Sequence, residues 1–125
     1  MSQIHLARVY DHEAELSGQA FFVERLWPRG VRREDLRAVW LKDAAPSPDL
    51  RRWYGHDVAR WVEFRRRYEA ELDASPQAWR PLAEAVAAGD VTLLYAARDR
   101  DHNSALVLRD HVRAHLPPER TPSSP

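Results

Sequence analysis

Apolar positions along the chain follow two rhythms, and each rhythm predicts a kind of element. Ile4 to Tyr10 and Ala20 to Trp27 are short stretches rich in β-branched and aromatic residues, separated by a polar segment containing Ser17 and Gly18. Both predict strands. Val91 to Ala97, Val-Thr-Leu-Leu-Tyr-Ala-Ala, is apolar almost without alternation, the pattern of a central strand covered by helices on both faces. Elsewhere the apolar residues recur at three- and four-residue steps. Val58, Trp61, Phe64 or Arg65, Tyr68 and Leu72 share one face of a helix that begins near Asp57, a good N-cap. Trp79, Leu82, Ala83 and Val86 mark a second helix, opened by Ser75-Pro76 and closed by Gly89 at the C′ position. Ala105, Leu108, Val112 and Leu116 mark a third, which Pro117-Pro118 ends.

Two segments carry weaker signals. Arg32 to Trp40 reads as weakly helical until Pro46 and Pro48 interrupt it, and Ser47-Pro48 then opens a short helix that Gly55 stops in the left-handed conformation. Helix, buried strand, helix is the grammar of an α/β domain, here with a small, mostly parallel or mixed sheet flanked by helices. The link between the first two strands is too short for a comfortable helical crossover, which leaves antiparallel pairing open. One domain is expected over residues 1–118, followed by a polar, Pro-rich tail at 119–125 expected to be disordered.

Composition narrows the classes. The 125 residues suffice for one core. The absence of Cys removes disulfides, thiolate metal sites and thiol nucleophiles together, and suits a reducing cytoplasm. Met1 to Tyr10 lacks an apolar stretch of signal-peptide length, and no segment approaches the roughly 20 apolar residues of a membrane span. Nineteen basic and nineteen acidic side chains cancel, so the long-range positive field of a general nucleic-acid binder is missing. Eighteen of those bases are Arg, spread through the chain, with Lys42 alone. The run Arg65-Arg66-Arg67 reads as a solvated helix face, because Glu63, Glu69 and Glu71 interleave with it and allow pairs such as Glu63 with Arg67.

In open α/β sheets ligands bind beyond the carboxyl ends of the strands. Two such segments carry chemistry. Arg25 and Arg29 bracket Trp27 and Pro28, offering two guanidinium forks beside an aromatic plate for a phosphate, carboxylate or nucleobase; the competing reading packs Trp27 in the core and pairs the arginines with Glu24, Asp43 or backbone carbonyls. After the central strand, His102 and Asn103 fall at the start of a helix, whose free N–H groups attract anions. There His102 is the candidate catalytic proton carrier and Asn103 an orienting group, against a plain capping role for Asp101 or Asn103. Lys42 and Tyr95 are secondary ligand-binding candidates. No metal site is expected and the cofactor is left unknown, with nothing pointing to an organic one: His56 and Asp57, with Asp99 or His102, are supported by no H-x-x-x-H pair or comparable ligand spacing, and His5, His12, His111 and His115 are given no chemical role.

Several blocks together resemble the YeaO-like branch of the family called domain of unknown function 488. They are Val23 to Gly30, Trp40-Leu41-Lys42-Asp43 with Ala45-Pro46-Ser47, Tyr54-Gly55-His56-Asp57, Arg60-Trp61, Phe64 to Tyr68, Glu71-Leu72, Val91 to Ala97 and Asp101-His102-Asn103. The resemblance covers nearly the whole chain; it implies a small α/β fold and a bacterial or archaeal source, and it brings no activity with it. Glu24 stands where Asp is commoner, and Val58 replaces the usual proline. Some members of the wider family carry Cys-His-Arg where this chain has Asp101-His102-Asn103, so the resemblance implies no thiol mechanism here.

The expectation is therefore a pocket for an anionic small molecule or nucleotide, binding or catalytic, where the Arg25 to Gly30 segment meets the His102 turn. The alternative is a non-enzymatic module that binds nucleic acid or protein in a regulatory setting. No membrane partner is expected, and the oligomeric state is left open.

Overall fold

The run of five buried residues at Val91–Tyr95 organises the chain. In a computed structural model describing residues 2–11 and 16–116, this strand, β4, has parallel neighbours on both sides. β1 (Ile4–Arg8), β2 (Gln19–Phe22), β3 (Val39–Trp40) and β4 form one sheet in the order β1-β4-β2-β3, parallel throughout. Ile4 pairs with Val91 and Arg8 with Tyr95, while Gln19 pairs with Val91 and Phe22 with Leu94. β1 and β2 therefore do not pair with each other at all. Both run parallel to β4, which lies between them, so the short link between β1 and β2 is not a hairpin and must return the chain to the opposite end of the sheet. Four α-helices follow the same chain order: α1 (Pro48–Tyr54), α2 (Trp61–Ala74), α3 (Pro76–Ala88) and α4 (Ser104–His115). Among the described residues no helix is long and apolar enough to cross a membrane. The segment 119–125, expected as a tail, lies outside the described residues.

Pleating divides the sheet's side chains between two cores. Ile4, Phe21, Val23, Val91, Leu93 and Tyr95 join Leu50, Tyr54, Phe64, Tyr68, Leu72, Leu82, Val86, Leu108 and Val112, so all four helices contribute to one cluster. Ala7, Ala20, Phe22 and Leu94 form the other cluster with Trp27, Leu36, Ala38 and Trp40, none of which lies in an α-helix. The expected helical cover on both faces of β4 is thus corrected. One face is covered by helices and the other by the segment after β2 together with β3, where the indole rings of Trp27 and Trp40 supply the apolar area that a helix would otherwise provide. Trp27 meets Phe22 and Trp40 edge to face, with ring centroids 5.5 and 5.2 Å apart.

Local chemistry explains most element ends. Ser47 caps α1 by accepting the Leu50 N–H, with Pro48 at the first helical position and Gly55 left-handed at φ 54°. Asp57 caps a 3-10 turn, Val58–Arg60, and α2 starts only at Trp61. Pro76 opens α3, but Ser75 gives it no side-chain cap and Gly89 follows it in extended rather than left-handed backbone. The expected helix at Arg32 to Trp40 is a 3-10 turn, Arg33–Asp35, followed by β3. There the β-branched Val39 pairs with Phe21, and sheet pairing overrides a weak helical pattern.

Gly18 precedes β2 at φ 68°, and a Cβ there would lie 1.7 Å from the Asp90 carbonyl oxygen. Gly30 has a comparable φ of 79° with nothing within 4 Å of such a Cβ. Gly30→Ala should therefore cost only the left-handed strain of about 1–2 kcal/mol. Gly18→Ala should cost distinctly more, because Asp90 must also move. Urea midpoints of the two variants check this, and equal losses would refute the contact.

Candidate functional site

Where β2 and β4 end, the chain leaves a cavity of about 380 Å³. Its walls come from the residues after β2 (Glu24, Arg25), the 45–48 turn, α1 (Arg51, Arg52, Tyr54), His56, and the β4 exit through His102, Asn103 and Ser104. The cavity thus lies at the carboxyl edge of a parallel sheet, the usual place for a ligand in this architecture.

Hydrogen bonds set the frame. The Glu24 carboxylate accepts the backbone N–H groups of Ala96 (2.6 Å) and Ala97 (3.2 Å), tying the exit of β2 to that of β4. Arg25 donates to the carbonyls of Pro46 and Ala45, each at 3.3 Å, and lies 4.0 Å from Asp43. Its guanidinium is thus largely committed to the turn that forms one wall. That turn is fixed from behind: Glu71 accepts from the Ser47 N–H (2.9 Å) and hydroxyl (2.6 Å), and the buried Tyr68 hydroxyl donates to the Ala44 carbonyl. Arg51 and Arg52 remain exposed at the rim, Arg52 paired with Asp49.

The opposite wall is the loop before α4. Asn103 is buried and caps α4, its side-chain oxygen accepting the Leu106 N–H at 3.1 Å and its amide donating to the carbonyls of Asp99 and Arg100. The Asp99 carboxylate accepts the N–H groups of Asp101 and His102, and its second oxygen lies 3.0 Å from His102 Nδ1. Because a carboxylate only accepts, that contact places the proton on Nδ1 and leaves Nε2 of the neutral ring with a lone pair. The His102 ring also packs edge-on against Trp61, with centroids 5.3 Å apart. Backbone N–H donation from Asp101, together with the hydrogen bonds from His102, holds the Asp99 carboxyl below its ordinary pKa. Burial, with Asp99 and Asp57 nearby, pushes the Tyr54 phenol up, so it stays a neutral hydroxyl.

Of the residues singled out in the sequence, Arg25, His102 and Asn103 line this cavity, and four others do not. Trp27 lies in the second core, its indole N–H donating to the Val31 carbonyl at 2.7 Å. Arg33 covers Trp27 and Trp40, 4.7 and 4.6 Å from their ring centroids, and Lys42 lies 5.4 Å from that of Trp40 and does not line the cavity. Tyr95 is buried in the helix-covered core. Arg29 is exposed, and its backbone carbonyl accepts the Tyr10 hydroxyl. The reason is the turn at 24–31, which carries Trp27 into the loop-covered core and leaves Arg29 exposed, while Arg25 stays with the 45–47 turn. Sequence reasoning missed Glu24, Arg51, Arg52 and Tyr54 as wall residues, since α1 reaches the strand exits only through tertiary packing.

A second constellation lies outside the cavity. Asp73, near the end of α2, and His111 and His115 on α4 place one ligand-type atom each within 4.8 Å of the others. The reading that gave these histidines no role passed over their i,i+4 spacing, the signal that could have found them.

Residues 3–125 match the family described as "Inactive DUF488-N3 subclade". The chain belongs to this family. This DUF488-N3i chain is also 38% identical over 112 residues to the uncharacterised protein YeaO of Escherichia coli K12, an alignment covering 89% of this chain and 97% of YeaO. It is 44% identical over 75 residues to the uncharacterised proteins Mb3100c of Mycobacterium bovis and Rv3073c of Mycobacterium tuberculosis H37Rv, covering 59% of this chain and 64% of each of them. No solved structure gives a significant match.

The Asp99 turn carries a pH dependence of determinate sign. A carboxyl whose folded pKa is depressed contributes stability above its unfolded value, and that contribution is lost as pH falls through the folded value. Asp99→Asn should therefore shrink the difference in urea midpoint between about pH 6 and about pH 3. An unchanged difference would show that the Asp99 contacts do not favour the ionised form.

Proposed function

We propose that the cavity at the β2 and β4 exits binds a small anion, a phosphate-bearing metabolite or nucleotide. The observation that carries this reading is the company around one concave space: Arg25, Arg51, Arg52, His56 and His102 beside the first residues of α4. The acidic wall residue, Glu24, already spends a carboxylate oxygen on the Ala96 and Ala97 amides. Cationic side chains and the free N–H groups of a helix start both favour negative charge. Arg51 and Arg52 would clamp the anion, while Nε2 of His102 would accept a hydrogen bond from a hydroxyl of the metabolite or nucleotide. The family's description as inactive supports binding over turnover.

The internal pairing of the Arg65-Arg66-Arg67 run also supports a pocket over a nucleic-acid surface. Arg65 engages Glu69 and Asp110, and Arg66 and Arg67 both engage Glu63. Arg67 further covers Trp53, 4.1 Å from its ring centroid. A face whose cations are neutralised in this way has little left to track a phosphate backbone.

Thermal-shift titration with inorganic phosphate, nucleotides and sugar phosphates tests the reading. A compound that binds should stabilise the fold by about 2.7 kcal/mol at roughly a hundredfold excess over its Kd. Arg51→Ala should abolish most of that gain while the ligand-free melting point stays near that of the parent, and His102→Ala should abolish it as well, measured against that variant's own ligand-free melting point. Silence across the whole panel would overturn the proposal, as would full stabilisation in both variants. Binding of a mixed-sequence oligonucleotide with steep salt dependence, alongside silence from small anions, would favour an interaction module instead.

A further inference from the structure

The Asp73, His111 and His115 cluster has a feature that ordinary packing leaves unexplained. His111 is buried, its side chain 4% exposed, and its Nε2 has no hydrogen-bond partner. A buried polar nitrogen without a partner is destabilising, so a fold retains one where something else satisfies it. This nitrogen lies 3.7 Å from Asp73 Oδ1, and His115 Nε2 lies 3.6 Å from the same oxygen.

The protonation pattern of His115 is fixed by its neighbour. Its Nδ1 lies 2.8 Å from the His111 carbonyl, which can only accept, so Nδ1 carries the proton. In the neutral ring Nε2 then points a lone pair at the Asp73 carboxylate, an acceptor facing an acceptor. A histidine held by Nδ1–H on a backbone carbonyl, with Nε2 turned to a carboxylate and a second imidazole, is arranged as a metal ligand with its outer partner in place. The two imidazoles stack with centroids 4.1 Å apart, and Trp79 lies edge-on to His111 at 5.0 Å, closing that side with apolar surface.

We propose that Asp73, His111 and His115 form a binding site for a divalent first-row cation of the zinc class. Two imidazole nitrogens and one carboxylate oxygen are the donors such ions prefer. The nitrogen-to-oxygen separations of 3.7 and 3.6 Å are a few tenths of an ångström above the roughly 3.3 Å edge of a tetrahedron with bonds near 2.0–2.1 Å. Asp73 and His115 are exposed, with side-chain accessibilities of 64% and 44%, so they have room to close the difference and a path for the ion to enter. The setting is also electrostatically suited. Asp73 sits in the last turn of α2, which contains no basic residue, and His115 ends α4, so the negative ends of two helices meet at the cluster. The ion would tie the end of α2 to the end of α4, with water completing its shell.

The test uses the full chain without an affinity tag, titrated with Zn2+ against a chromophoric chelator and, separately, with Co2+ read by visible absorption. One equivalent of Zn2+ should bind and raise the melting temperature, and Co2+ should give the intense bands of a low-coordinate site with nitrogen ligands. Asp73→Asn and His115→Ala change exposed positions, and each should weaken Zn2+ by at least about tenfold and bleach the Co2+ bands. His5→Ala, at the separate surface pair with Asp90, should leave both readouts unchanged. The proposal is overturned if the parent takes up no Zn2+, if Asp73→Asn and His115→Ala bind it as tightly as the parent, or if His5→Ala removes the binding.

Discussion

A parallel strand buried along its whole length must find hydrogen-bond partners on both edges and apolar cover on both faces, because water can supply neither. Val91–Tyr95 is that strand, and most of the architecture answers its needs. Its edges are met by β1 and β2, which the chain delivers more than 70 residues earlier. One face is met by residues of α1 through α4 and the other by the Trp27 and Trp40 segment. The candidate cavity follows from the same constraint. Parallel strands all end at one edge of the sheet, so the segments after β2 and β4 emerge together, and the Glu24 carboxylate bridges them.

Much of this was legible in the sequence where the signal was local. The unalternating Val91 to Ala97 run, the apolar stripes of α2, α3 and α4, and the Ser47-Pro48 and Gly55 ends of α1 each depend on residues within a few positions of one another. What was not legible depended on neighbours far along the chain. No property of Ile4 to Tyr10 or Ala20 to Trp27 reveals that a strand beginning at Val91 lies between them. A two-residue strand such as β3 leaves almost no pattern, and its identity comes from Phe21 and Phe22. The lack of a left-handed residue after α3 shows that glycine permits such a cap without enforcing it.

The candidate site divides along the same line. Arg25, His102 and Asn103 were found because strand exits and helix starts can be located from local pattern. Trp27 and Arg29, only a few residues away, could not be assigned to the correct face without the geometry of the turn at 24–31. Arg51 and Arg52 were invisible as wall residues, since nothing in α1 states which edge of the sheet it will approach. In the histidine cluster the spacing of His111 and His115 was readable, but Asp73 joins them only through the packing of α2 on α4.

The position of β1 has a consequence for the order in which this molecule can assemble. Its pairing partner is β4, and the two are separated by most of the polypeptide, so closing that contact requires a large loop whose entropy is lost before any pairing is gained. On the ribosome, a nascent chain that has emerged only as far as α3 holds β1 and β2 without the strand that lies between them. The helices can acquire local structure as they emerge, but the sheet must wait for synthesis to pass Tyr95. Until then β1 has no strand partner and β2 has only the two-residue β3 on one edge, so both depend on the speed of translation, or on a chaperone, to stay apart from other chains.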